Sequence, residues 1–228
     1  VSQNTAWNHY NDLPDSANFE TPYHAGSVGR ITNAEAVFNY GLAKHFDITS
    51  GADFKYSSTH QVNTYDTIQS ANNSIASVYT SLFFKSDIFH MELGGRYNHH
   101  SKYGDNFTYT VNPSILLAGQ FKLFATVASA FKAPSLYQLA SVYKNILLKP
   151  ETTTSYEAGF DWQIISNTLT FNTVLYKRDT KDVIYFLSLP DFPFGKYENG
   201  SKENDKGYES ELTLNLSNVT ASAYISYV

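Results

Sequence analysis

The stretch ITNAEAVFNYGLAKHFDITSGADFKYS, residues 31–57, holds two segments of alternating character joined by a tight turn. From Ile31 to Ala43, Ala34, Ala36, Phe38, Tyr40 and Leu42 fall on one face, and Glu35, Val37, Asn39 and Gly41 on the other. Successive side chains of a β-strand point to opposite faces, so this is a strand with two unlike sides. A turn at Lys44 to Phe46 follows, and from Asp47 to Ser57 the pattern resumes. Ile48, Ser50, Ala52, Phe54 and Tyr56 oppose Asp47, Thr49, Gly51, Asp53 and Lys55.

The same alternation recurs along the chain in roughly ten segments, each near the ~9–11 residues that cross a bilayer at a tilt. Ser74 to Lys85 puts Ala76, Val78, Thr80, Leu82 and Phe84 on one side, with Ile75 and Phe83 blurring the contrast. Phe89 to Asn98 restores it, with Phe89, Met91, Leu93, Gly95 and Tyr97 against His90, Glu92, Gly94, Arg96 and Asn98. Further segments run Phe107 to Ala118, Phe121 to Phe131, Ser155 to Ile165, Thr168 to about Leu187, Gly207 to Ser217 and Val219 to Val228.

Connection lengths alternate as well. Tight turns at Lys44 to Phe46, Ser86 to Ile88, Gly119 to Gln120, Ser166 to Asn167 and around Asn218 take turns with longer polar loops. Those loops span Ser58 to Asn73, His99 to Asn106, Lys132 to Thr154 and Ser188 to Lys206. Outer-membrane barrels join strands by short periplasmic turns at one rim and longer extracellular loops at the other. A soluble sandwich has no reason to sort loop lengths by end. The expected fold class is therefore all-β, an antiparallel transmembrane β-barrel.

Composition agrees. Aromatic residues make up 16% of the 228, with 18 Tyr and 16 Phe, and charged residues also 16%, below the roughly 25% usual for soluble domains. The mean hydropathy of -0.33 resembles that of a soluble protein, but a barrel strand meets lipid on one face alone, which dilutes the average. No run approaches the ~18 apolar residues of a spanning helix. The absence of Cys removes disulfide and thiolate-metal chemistry, and a net charge of -5 argues against nucleic acid. Aromatics near the strand ends, among them Tyr40, Phe46, Phe84, Phe121, Tyr156, Trp162 and Tyr227, fit interfacial girdles.

Glu35, Asp53, Lys55, Glu92, Arg96, Lys122, Glu157, Asp161, Glu209 and Glu211 all fall on the expected lumen face. Barrel physics demands this, because a charge facing lipid at the midplane costs about 2–4 kcal/mol. His99 and His100 are adjacent in a strand and point to opposite faces, so a shared metal ion would need the loop to bend. The expectation is no metal site. With Tyr103, Asp105 and Asn106 the two His instead line an extracellular loop suited to capturing a ligand. No phosphate-cradling glycine loop, nucleophile elbow or zinc-protease helix occurs, so no catalytic residue is assigned and no enzyme is expected. Asp179 and Asp182 near a strand top are the one hint of a rim protease.

Three motifs carry a family resemblance. AFKAPSL, Ala130 to Leu136, is similar to a "FRAPS" strand end in the barrels of TonB-dependent receptors of the cobalamin and siderophore types, with Lys132 where Arg is commoner. LKPETTTSYEAGF, Leu148 to Phe160, resembles their "L-K-P-E" loop end and following strand. KGYESELTLNL, Lys206 to Leu216, resembles their "GxE-x-E" strand, with Tyr208 in place of a small aliphatic residue. Glu92 to Tyr109 resembles a strand, loop and strand from the same barrels.

The resemblance implies that residues 1–228 are a fragment of a barrel of about 22 strands, with the plug domain not among them. It implies uptake, without a cofactor, of a scarce nutrient such as an iron-siderophore or cobalamin across the bacterial outer membrane. The implied partners are outer-membrane lipid, the plug domain of the same receptor, TonB acting through that plug, and the metal-chelate or vitamin ligand. In such a receptor Glu92, Arg96, Glu157, Asp161, Glu209 and Glu211 would face the plug. A small passive barrel, adhesin or rim protease, and a soluble all-β binding domain, are the other classes open at this point.

Overall fold

A computed structural model describes residues 1–12, 23–64 and 66–228. Its strands are β1 (Ser2–Asp12), β2 (Tyr23–Ala43), β3 (Phe46–Asn63), β4 (Thr67–Lys85), β5 (Phe89–His100), β6 (Gly104–Leu117), β7 (Phe121–Lys132), β8 (Glu151–Ile165), β9 (Leu169–Lys181), β10 (Ile184–Ser188), β11 (Gly195–Asn199), β12 (Lys202–Leu216) and β13 (Val219–Tyr227). One short helix, α1 (Leu136–Ala140), lies between β7 and β8. Eleven strands form one sheet in which every ladder is antiparallel, in the order β1 to β9, then β12 and β13. The small β10–β11 hairpin stands apart, inserted between β9 and β12.

The faces are those the alternation predicts. Ala36, Ala52, Val78 and Tyr97 form one continuous cross-strand row, and the row beside it, Val37, Gly51, Tyr79 and Arg96, points the other way. The outward face carries Phe38, Phe107 and Leu175 at 63%, 63% and 61% exposure, an apolar surface suited to lipid. Rings gather along it in two bands. Near the short turns Phe84 meets Phe46 at 5.1 Å and Phe89 at 6.0 Å, and Phe121 meets Phe160 at 5.2 Å and Trp162 at 6.2 Å. Nearer the other rim the rings are mostly tyrosines: Tyr97, Tyr156, and Tyr208 stacked on Tyr227 at 6.0 Å. Rings that are apolar in body and polar at the tip suit the membrane–water interface.

Three expectations need correction. The loops expected at Ser58–Asn73 and His99–Asn106 are mostly strand: β3 runs to Asn63, β4 starts at Thr67, and residues 101–103 alone separate β5 from β6. β2, at 21 residues, spans on the order of 70 Å along its length at ~3.3 Å per residue, about twice what a crossing needs. Above the lipid both faces are wet, so the two-residue period fades while the backbone ladder continues. The same reasoning explains why β1, which is polar on both faces, has no counterpart among the expected segments. The third correction concerns Thr168 to Leu187, which is not one strand. β9 stops at Lys181, where Asp182 takes a left-handed backbone (φ 54), and the chain enters the separate hairpin.

The wall is one residue thick, and the dry core lies at its long-loop rim. Ile68 and Leu148 are 3% and 2% exposed, and Pro134 and Ser141 are fully buried. Among the described residues no helix is long and apolar enough to cross a membrane.

Candidate functional site: the inward wall and the mouth

The six inward residues Glu92, Arg96, Glu157, Asp161, Glu209 and Glu211 share one face by their ladder positions. On β2 to β6 the inward carboxylates are held within the wall. Arg96 Nη2 meets Asp53 Oδ2 at 2.5 Å, with the Asp53 side chain 12% exposed, and Arg96 Nε donates to Asn98 Oδ1 at 2.8 Å. The guanidinium lies 5.2 Å from the Tyr79 ring centre, a cation–π distance, and Tyr79 Oη donates to Glu35 Oε1 at 2.8 Å. Gly51 makes this possible: a Cβ there would collide with the Tyr79 ring. Glu92 Oε2 accepts from Asn112 Nδ2 at 2.8 Å.

Below the mouth, on β8 to β13, the inward carboxylates are loosely held. Glu211, Asn172, Asp161 and Lys122 form one cross-strand row. Lys122 Nζ stands 3.5 Å from Asp161 Oδ2, both about half exposed, and Glu211 Oε1 accepts from Thr213 Oγ1 at 3.1 Å. Asp161, Glu209 and Glu211 rim one hollow with Phe124 and Tyr224.

The mouth is built by the segment between β7 and β8 folding inward. Ser135 caps α1, accepting from Gln138 N at 3.2 Å while Gln138 Oε1 accepts from Ser135 N at 2.8 Å, a capping box. Val142 N donates to Asp66 Oδ2 at 2.7 Å. Asn199 staples the segment to the hairpin: its Oδ1 accepts from Lys149 N at 2.8 Å and its Nδ2 donates to Lys149 O at 3.0 Å. Tyr143 and Tyr197 each pack edge-on against Phe186 at 5.3 Å. Lys132 Nζ pairs with Glu151 Oε2 at 3.0 Å, and Glu151 Oε1 accepts from Ile184 N at 2.9 Å. This pair ties the start of the FKAPS motif to the end of the LKPE motif. The two motifs were expected to open and close one loop; the pairing of Lys132 with Glu151 across it was not expected, although opposite charges at the two ends of that loop were the available signal. Between the folded segment and the wall is a hollow lined by Lys55, Ser57, Ile75, His100, Pro134 and Leu136.

The five loop candidates divide between the faces. His99 and Asp105 are cross-strand partners pointing outward, with Nδ1 and Oδ1 2.6 Å apart and side chains 63% and 60% exposed. The His99 bond holds the Asp105 carboxyl below the usual range. His100 points inward and is 4% exposed. Its Nδ1 accepts from the backbone N–H of Lys102 at 3.1 Å and Tyr103 at 3.4 Å, so the proton of the neutral ring sits on Nε2. Burial first, then the charges of His99 and Lys102, lower its pKa. Tyr103 packs on His100 at 5.2 Å. Tyr103 Oη and Asn106 Oδ1 are buried without a hydrogen-bond partner, polar atoms that a ligand or water can satisfy. His99 and His100 therefore cannot meet at one ion, and among the described residues no three His, Cys, Asp or Glu stand close enough to hold a metal. Asp179 bonds Lys177 at 2.8 Å on the outward face, while Asp182 lies at the foot of the hairpin.

Residues 1–228 match the family model described as TonB dependent receptor-like, beta-barrel. The chain belongs to this family. A probable TonB-dependent siderophore receptor PirA of Acinetobacter baumannii is 33% identical over 133 residues, covering 48% of this chain and 17% of that protein. A solved structure of a ferric enterobactin receptor PfeA variant from Pseudomonas aeruginosa superposes with a TM-score of 0.75 at 20% identity, covering 99% of this chain and 40% of that one. The hemophore receptor HasR of Serratia marcescens gives a TM-score of 0.77 at 16% identity over 90% of this chain and 42% of that one. The chain thus spans under half the length of the relatives it matches. TonB-dependent receptor barrels reside in the bacterial outer membrane, and these relatives are receptors, not enzymes.

Proposed function

We propose that this chain forms part of the barrel wall of a receptor that takes up a metal chelate, an iron-siderophore first among the candidates, using energy relayed by TonB to the receptor's own plug domain. The observation that carries this reading is the mouth: the segment between β7 and β8 is pinned inward by Lys132–Glu151 and Asn199, leaving a hollow against the wall that is open for a ligand. The identity to a siderophore receptor favours a ferric chelate over cobalamin. His100, Tyr103 and Asn106 belong to the inward rim of the ligand path. His99 and Asp105 serve on its outer side. Glu92 and Arg96 stiffen the wall, and the acidic residues Glu157, Asp161, Glu209 and Glu211 face the plug.

The test is uptake by cells carrying the intact receptor as their sole transporter of this type, fed a panel of radiolabelled ferric siderophores and cobalamin. Accumulation of one or more ferric siderophores that stops when TonB is deleted is expected. Uptake of cobalamin alone would overturn the ligand class, and accumulation that persists without TonB would overturn the energy coupling.

A further inference from the structure

The ladder between β6 and β7 is a weak join in the middle of the sheet. Pairing runs from Leu117 opposite Phe121 to Ser114 opposite Phe124, skips Asn112 and Pro113, resumes at Val111 opposite Val127 and stops at Thr110 opposite Ala128. Both strands continue upward. β6 stays on β5 as far as Gly104 opposite His100, and β7 stays on β8 as far as Lys132 opposite Glu151. Among the described residues, none of β7 is paired with Tyr109, Phe107 or Asp105. The parting is internal to the wall, with laddered strands on both of its sides.

Local chemistry accounts for it. Leu116 N donates to Ile88 O on the β5 side. Hydrogen-bonding direction alternates along an antiparallel strand, so positions 115, 113, 111 and 109 turn their backbone nitrogens toward β7. Pro113 has no N–H to give, which removes one bond of this ladder. The N–H of Tyr109 goes to Ser129 Oγ at 2.9 Å, so a side chain stands where a backbone carbonyl would continue the ladder. The parting begins at Tyr109, one outward row below Phe107 and Tyr97. At the level of the tyrosine band, water satisfies backbone groups that hydrocarbon cannot.

The parting divides the wall into two panels. Strands β2 to β6 form the first. The second is β7 to β9 with β12, and the mouth rides on it: the inward segment continues β7, the hairpin continues β9, and Glu151 joins Lys132 Nζ to Ile184 N. The hollow at the mouth takes one side from each panel, with Lys55, Ser57, Ile75 and His100 from the first and Pro134 and Leu136 from the second. Above it, Asp66 Oδ2 on the β3–β4 turn accepts from Val142 N of the segment at 2.7 Å.

We propose that the wall opens along the β6–β7 seam: β7 and β8 tilt with the inward segment and the hairpin as one panel, and the hollow between Ile75 and Leu136 widens. Asp66 and Val142 are the clasp that closes it. The use of this opening rests on the reading of the hollow as the ligand's entry; the opening itself needs no ligand.

The experiment uses the intact receptor in a lipid bilayer, with no ligand added. Ile75→Cys places a thiol in the hollow, and its rate of reaction with fluorescein maleimide reports opening. T108C/A130C continues the register one pair above Thr110 and Ala128, at a position whose partners lie close enough for a disulfide. Oxidation of that pair is expected to slow labelling of position 75 at least tenfold, because local opening sets the exposure of a covered site. A disulfide at T110C/A128C, where the ladder is already closed, should leave the rate within about twofold of the unlocked receptor. Asp66→Ala, which releases the clasp, should raise it about threefold. Heat-modifiable gel mobility reports folding, and Ser57→Cys is a second thiol in the same hollow, for which the same order is expected. Equal labelling with the upper pair locked and unlocked would overturn the proposal. So would failure of T108C/A130C to oxidise, which would show that the strands never meet there. Uptake of a different ligand class would overturn the functional reading and leave these rates unaffected.

Discussion

The two halves of the inward wall handle charge in opposite ways. On β2 to β6 each carboxylate has a donor from the wall itself: Asp53 has Arg96, Glu35 has Tyr79 and Glu92 has Asn112. On β8 to β13, Glu157 and Glu209 have no side-chain partner among the described residues, and Asp161 faces Lys122 at 3.5 Å across exposed space. The first half satisfies its own charges and so stiffens the wall. The second leaves carboxylates free for whatever occupies the lumen, which is why it is the half we assign to the plug. Position on the inward face is common to both; the difference lies in which neighbours the register brings alongside.

The comparison breaks most readily at Arg96. Arg96→Ala strands the Asp53 carboxylate, 12% exposed, without its cation. The expected loss is about 2 kcal/mol, below the ~3–5 of a fully buried pair because Arg96 is partly open to solvent; it is read as a lower temperature for loss of heat-modifiable mobility. Gly51→Val tests the same half from beneath. The new side chain meets the Tyr79 ring, costing about 1–3 kcal/mol by overpacking and freeing Glu35. An unaltered melting temperature in both variants would show that this half is not self-supporting.

His100 supplies a smaller effect at the rim. Its pKa is lowered in the folded state, so the neutral form is favoured there and the unfolded chain binds the proton more readily. Its contribution is fully present above the unfolded value of about 6.5 and is lost as pH falls through the folded value. Hydrogen exchange of the Lys102 and Tyr103 amides, corrected for intrinsic rates, should accelerate as pH drops below about 6.5, and the acceleration should vanish in His100→Gln. The smallest effect on stability is expected in the acidic half. Glu209→Gln with Glu211→Gln should shift barrel stability by no more than about 0.5 kcal/mol while lowering ferric siderophore uptake. A large stability loss would make these residues structural after all.

How far the molecule was legible from sequence follows from what surrounds each residue. Where lipid lies on one side, as along Phe89 to Asn98, the two-residue period is enforced and the faces can be read directly. The tight turns are equally plain, since Asn167 and Gly119 take the left-handed backbone such turns require (φ 55 and 69). Above the membrane nothing enforces alternation, so polar stretches such as Ser58 to Asn63 look like loop although they stay in the ladder. The mouth was legible only in its parts. Lys132 and Glu151 were in view, but their pairing depends on a long loop folding back, and no local pattern encodes that. The split of His99 from His100 follows from strand geometry; the burial of His100 depends on the segment that folds over it.

The central claim is that one set of side chains meets lipid and the other the lumen, strand after strand. The chain contains no cysteine, so single Cys substitutions from Phe89 to Asn98 in the intact receptor can each carry a spin label in a lipid bilayer. Collision with a lipid-soluble relaxant should alternate with a period of two, high at positions 89, 91, 93, 95 and 97 and low at those between. Uniform accessibility, or a period near 3.6, would contradict the account.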